Sequence, residues 1–211
     1  MNKFGFLLTI LIALLAPSLS RADAVFTLGN NPQPNEENVL LNSGTIGNTI
    51  QGTTNQNGFV VNFTSAQLLT APSNGQARVE AIDNLTSQVA LSDVSFSLDN
   101  GGTFTDAIFN MFVGGTIGSS GGTATINALT NDGLFQFQMT LGNGQNFLTV
   151  TTTGGELLSQ ISILSPVAFT DLRQVRISGA AAVPEPSAVT LCLAGATVFG
   201  VRLLRGKLTR A

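Results

Sequence analysis

Histidine, tryptophan and tyrosine are absent from this sequence, and cysteine occurs once, as Cys192. Without histidine, neither a Ser-His-Asp nor a Cys-His nucleophile can be assembled. Residues 25–182 also lack lysine, which removes Ser-Lys systems. Zinc sites of ordinary ligand type fall with the histidines and cysteines, so no metal and no cofactor is expected. Missing tyrosine and tryptophan mean that no flat apolar ring with a polar edge is available as a ligand platform. Cys192 sits in an apolar run near the C-terminus, so the body before it must be held by its core rather than by disulfides.

Positive charge is scarce too. Between residues 25 and 182 only Arg78, Arg173 and Arg176 stand against Glu36, Glu37, Glu80, Asp83, Asp93, Asp99, Asp106, Asp132, Glu156 and Asp171. Such a surface repels phosphate backbones and carries no basic stripe with aromatic partners, so a nucleic-acid role is not expected. Arg173 and Arg176 read as an exposed pair that partly neutralises this acidic body, with binding of an anionic polymer as the alternative.

What is present is alternation of apolar and polar residues. Phe59, Val61 and Phe63 share one strand face, as do Val94, Phe96 and Leu98. Over residues 135–141, Phe135, Phe137, Met139 and Leu141 form the inward set, while Leu134 is out of phase. Residues 77–81 place Arg78 and Glu80 together on the wet face, and Val175 and Ile177 face away from Gln174 and Arg176. Further strands are expected over 104–113, 123–129, 147–153, 158–164 and 167–169. Phe96, Phe135, Phe137, Met139, Val175 and Ile177 should share one core.

Turn chemistry separates these runs. Asp99-Asn100-Gly101-Gly102 and Asn131-Asp132-Gly133 are expected as hairpin turns, and residues 114–122 as a longer glycine-rich hairpin loop. That loop lacks the lysine and the following helix of a phosphate-binding loop. Residues 30–38 read as a solvated lead-in, and residues 180–183 as a linker. Asp99, Asn100, Asp106, Asn131 and Asp132 are oxygen donors near turns, but no spaced acidic loop ending in glutamate occurs, so they read as turn formers rather than calcium ligands. A carboxylate-pair glycoside hydrolase would have to use Glu80 with Asp83 or Glu156. The composition argues against it, and no catalytic residues are assigned.

The two ends carry a different message. Lys3 precedes an apolar run over residues 4–16, then Pro17, Ser18 and two small-residue cleavage options, after Ala22 or after Ala24. This is the order of a secretory signal peptide, assigned to residues 1–24, and the run is short for a membrane span. At the other end come Val183, Pro184, Glu185 and Pro186, then an uncharged apolar run over residues 188–201, then Arg202, Arg205, Lys207 and Arg210. The prolines keep their segment extended and accessible. The apolar run suits one transmembrane helix, and the basic residues act as a cytoplasmic stop that leaves the Pro-Glu-Pro element outside.

Residues 183–211 resemble the PEP-CTERM sorting signal, the tripartite tail of bacterial proteins processed by an exosortase-type membrane protease. The resemblance implies that Val183, Pro184, Glu185 and Pro186 are the recognised element, that residues 188–201 are a transient anchor, and that Arg202, Arg205, Lys207 and Arg210 are the stop. The basic residues are more dispersed here than in a compact arginine cluster. Residues 169–179 are also similar to the final strand of many β-rich members. The expectation is an all-β protein: a single antiparallel β-sandwich, jelly-roll or lectin-like, over residues 25–182, flanked by a signal helix and by a C-terminal transmembrane helix. It would be exported across the inner membrane, held as a membrane-anchored precursor, then placed at the cell surface or in the extracellular matrix. Its partners would be the exosortase and exopolysaccharide. A non-enzymatic structural role in exopolysaccharide or biofilm is the first reading, and a carbohydrate-binding module or adhesin the alternative.

Overall fold

The computed structural model describes residues 23–76, 78–83, 87–118 and 120–182. The signal segment, the tail with Val183, Pro184, Glu185 and Pro186, and the basic stop lie outside the described residues. No helix among the described residues is long and apolar enough to cross a membrane.

The described chain is all-β. Its strands are β1 (Ala24–Leu28), β2 (Glu37–Leu41), β3 (Ile46–Thr54), β4 (Val60–Thr70), β5 (Arg78–Asp83), β6 (Ser87–Val89) and β7 (Leu91–Leu98), then β8 (Asp106–Phe112), β9 (Thr123–Thr130), β10 (Leu134–Thr140), β11 (Phe147–Thr152), β12 (Leu158–Phe169) and β13 (Asp171–Ser178). They pair in the order β1-β11-β8-β13-β2-β3-β4-β7-β12-β9-β10, with β5 joining β13, β4 and β6. Every pairing is antiparallel.

Alternation decides which side chains enter the core, because successive side chains point to opposite faces. Val61, Phe63, Val94, Phe96, Leu98, Val175 and Ile177 are buried as expected. Phe96 of β7 meets Phe109 of β8 edge-on at 5.6 Å, so strands far apart in the pairing order pack against each other. At the other end, Phe26 of β1 stacks on Phe137 of β10 at 5.3 Å. The two terminal strands of the path therefore meet through their side chains. Met139 and Leu141 are buried, but Phe135 and Phe137 are only half-buried against the core. Their strand is an edge strand with one neighbour, so one flank stays open. Leu134, out of phase, is exposed.

Several expectations need correcting. The turn at Asn131-Asp132-Gly133 is a hairpin between β9 and β10. The Asp99–Gly101 turn and the 114–122 loop are not, because β7 does not pair with β8, nor β8 with β9. Both are crossings between separated parts of the path. Residues 158–164 and 167–169 belong to one strand, β12, whose pairing with β7 shifts between Leu164 and Phe169. Pro166 lies in that irregular stretch, where a missing N–H costs no ladder bond. The lead-in at residues 30–38 includes the start of β2, and Glu37 there is buried. Strands β1, β2, β3 and β6 were not anticipated.

Candidate functional site

The most developed polar site arises from how β13 shares one edge. Along one side it pairs with β8, with a register shift between Arg173 and Arg176. Along the other it pairs first with β5, through Leu172 and Arg173, and then with β2, through Arg176 and Ile177. Gln174 falls at the break with φ 51°, a left-handed conformation rarely adopted by side chains other than glycine, asparagine or aspartate. Val175 still points into the core.

A shallow trough opens over this break. One lobe, about 230 Å³, is lined by Ser73, Gln76, Arg78, Arg173 and Gln174. The second, about 200 Å³, is lined by Asn30, Asn38, Gln76, Gln174 and Arg176. Gln76 and Gln174 border both lobes, which makes them one continuous surface. All the arginines of residues 25–182 line it.

Arg78 and Arg173 are direct register partners across β5 and β13. Like charges directly opposite are unfavourable in a sheet, and each is offset by an acid two residues along its own strand. Arg78 Nε donates to Glu80, and Arg173 donates to both Asp171 oxygens, with Nη2 to Oδ2 at 2.8 Å. The Arg173 guanidinium also lies over the Phe112 ring, 3.6 Å from its centroid. Arg176 donates from Nη1 to Glu36 Oε1 at 2.7 Å and from Nη2 to Asn30 Oδ1. The expectation of an exposed Arg173/Arg176 pair is therefore corrected: each holds its own acid. The wet-face reading of Glu80 is corrected as well, since Glu80 is buried beneath Arg78.

The far lobe is supported from β2. Gln76 Nε2 donates to Asn38 Oδ1 at 2.7 Å, and the Asn38 N–H donates to Asn55 Oδ1 at 2.9 Å. Next to it, Glu37 gathers the 55–57 turn. Its Oε2 accepts the N–H groups of Gln56 at 3.2 Å and Asn57 at 2.9 Å, and its Oε1 accepts Asn57 Nδ2 at 2.6 Å. Burial pushes the Glu37 carboxyl up, but the donors from Asn57, Thr54 and Gln56 together outweigh it and hold it below its ordinary value.

The other singled-out residues do not converge. Glu80 and Asp83 are three apart on β5 and so point to opposite faces. Glu156 is buried in the β11–β12 connection, with Oε2 lacking a hydrogen-bond partner among the described residues. No carboxylate lines either lobe of the trough. Asp99 accepts from Asn62 Nδ2 at 3.1 Å, Asp106 from the Thr105 hydroxyl at 2.6 Å, and Asn131 from the Leu157 N–H at 2.8 Å. Among the described residues, no three acidic, histidine or cysteine side chains gather as a metal-binding group. A larger, more apolar cavity of about 530 Å³ lies by the free edges, bordered by Leu28, Phe137, Met139 and Phe147.

Sequence reasoning found Arg173 and Arg176 but missed Arg78, Gln76, Gln174, Asn30 and Asn38 as their neighbours. The spacings Arg78-x-Glu80 and Asp171-x-Arg173 carried a signal, because residues two apart on a strand share a face. Nothing local joins β5 to β13, which are far apart in sequence. Compared with protein-family models, with curated proteins and with solved structures, the chain matches none.

Proposed function

We propose that this protein is an exported, non-enzymatic component of the cell surface or extracellular matrix, with a structural role in exopolysaccharide or biofilm. An exosortase-type membrane protease would recognise Val183, Pro184, Glu185 and Pro186. The body is read as a β-sandwich of jelly-roll or lectin-like kind, supported by the Phe96–Phe109 contact between distant strands.

One observation carries the reading. Ala181 is fastened to the body by a pair of backbone bonds with Thr103, at 2.8 and 2.9 Å, and Gly102 packs tightly against its carbonyl. Val183, the first residue of the proposed sorting element, follows two residues later in the sequence, so the body's last described ladder contact lies beside it. The same logic at the front favours cleavage after Ala22. That cut keeps β1 whole, with Ala24 opposite Thr152 and the Thr153 N–H donating to the Asp23 carbonyl at 3.1 Å.

A carbohydrate-binding module or adhesin is the second reading, favoured by the amide- and guanidinium-lined trough. For the first, fractionation of producing cells is the test. Deleting residues 183–211 should release the body unretained, whereas loss of the exosortase, or replacement of Glu185, should leave an uncleaved membrane-held precursor. Identical full-length membrane protein with and without the exosortase would reduce the tail to an ordinary anchor.

A further inference from the structure

The lobe of the trough around Arg78 and Arg173 is built to present donors and conceal acceptors. Glu80 and Asp171 side chains are 7% and 1% exposed, while the Arg78 and Arg173 side chains above them are 44% and 30% exposed. A ligand approaching this lobe meets guanidinium N–H groups rather than the carboxylates that balance them. Each guanidinium has five donors, and the acid bonds described above engage one in Arg78 and two in Arg173. The carboxylates fix the orientation of the forks, and fixed forks suit planar, bidentate anions.

The second lobe continues the surface with Asn30, Asn38, Gln76 and Gln174, whose amides both donate and accept. Such groups match hydroxyls. Neither lobe reaches the volume typical of an enclosed small-molecule pocket, so a chain lying across both fits better than a compact ligand. No aromatic ring lines the trough, and the Phe112 face is covered by Arg173, so base stacking is unsupported.

We infer that the trough formed by Ser73, Gln76, Arg78, Arg173, Gln174 and Arg176 binds a carboxylated polysaccharide, its acid groups on Arg78 and Arg173 and its hydroxyls on the amides. This rests on the carbohydrate-binding reading and names the ligand class. Because the rest of the body is acidic, binding of a polyanion must be local to this surface.

The test is calorimetric titration of the full-length chain, in mild detergent, with polygalacturonate. Its methyl ester, which keeps the hydroxyls and removes the charge, and polyuridylate are titrated in parallel. Saturable binding of the acid form is expected, with the ester about tenfold or more weaker. Gln174→Glu, at an exposed position bordering both lobes, should weaken acid binding by about tenfold or more without moving the melting temperature. Gln136→Glu, the same charge change on β10, should leave binding unchanged. Equal binding of the ester would overturn the anionic assignment and leave the carbohydrate reading standing. No binding of either saccharide would remove both. Equal loss in Gln136→Glu, or tighter binding of polyuridylate, would also overturn the inference. None of these outcomes depends on how the tail is processed, so sorting and ligand binding fail separately.

Discussion

Glu37 shows how one buried acid can organise a surface. Its carboxylate collects the backbone N–H groups of Gln56 and Asn57 and the Asn57 amide, which ties the β3–β4 turn to the start of β2 beside Asn38. Glu37→Gln replaces one accepting oxygen with a donor facing donors, at a cost of about 1–3 kcal/mol near neutral pH. The pH dependence follows from the lowered carboxyl. Stability from the charged form is fully present above the ordinary value of 4.5 and is lost as pH falls through the lower folded value. Urea melts of both proteins should therefore differ most at about pH 7 and draw together as pH falls below 4.5 and through the lowered folded value. A gap that stays constant across that range would show that the carboxylate charge is not what the turn uses. Sequence gave no hint of this, because alternation in β2 is indifferent to whether an inward position holds leucine or a satisfied acid.

At the scale of elements, the strands legible in advance were those with strict alternation, such as β7 and β10. Among those missed, β1 and β3 carry mixed or small residues such as Gly47 and Gly52. Gly52 is needed there: a Cβ at that position would meet Val39 at 2.7 Å and the Leu40 carbonyl at 2.9 Å. Crossings were read as hairpins because a turn sequence reports its own backbone angles and not the partner of the next strand. Asn100 and Gly101 do take positive φ, yet the chain then leaves for β8. Periodicity also cannot distinguish a central strand from an edge, and this separates Phe96 from Phe137. Phe96→Ala empties a site enclosed by Phe63, Phe104 and Phe109 and should cost about 3–5 kcal/mol. Phe137→Ala removes a half-open ring and one stack, for about 1–2 kcal/mol. Chemical denaturation of the two variants checks the order, and a larger loss at Phe137 would contradict the assignment of β10 as an edge.

For the whole molecule, the all-β class was legible in the sequence, while the trough depended on topology. Only the pairing of β13 with both β5 and β2 assembles Arg78, Arg173 and Arg176 on one surface. The central claim is that this assembled body is delivered outside by removal of both ends. The most direct measurement is the intact mass of the protein recovered from the surface or medium of a producing cell, against that from the same cell lacking its exosortase. The account predicts a product beginning at Asp23 and ending at or near Val183, Pro184, Glu185 and Pro186, and a heavier membrane-held form, with residues 188–211 still attached, when the exosortase is missing. A mass that retains residues 188–211 in both cells would contradict it.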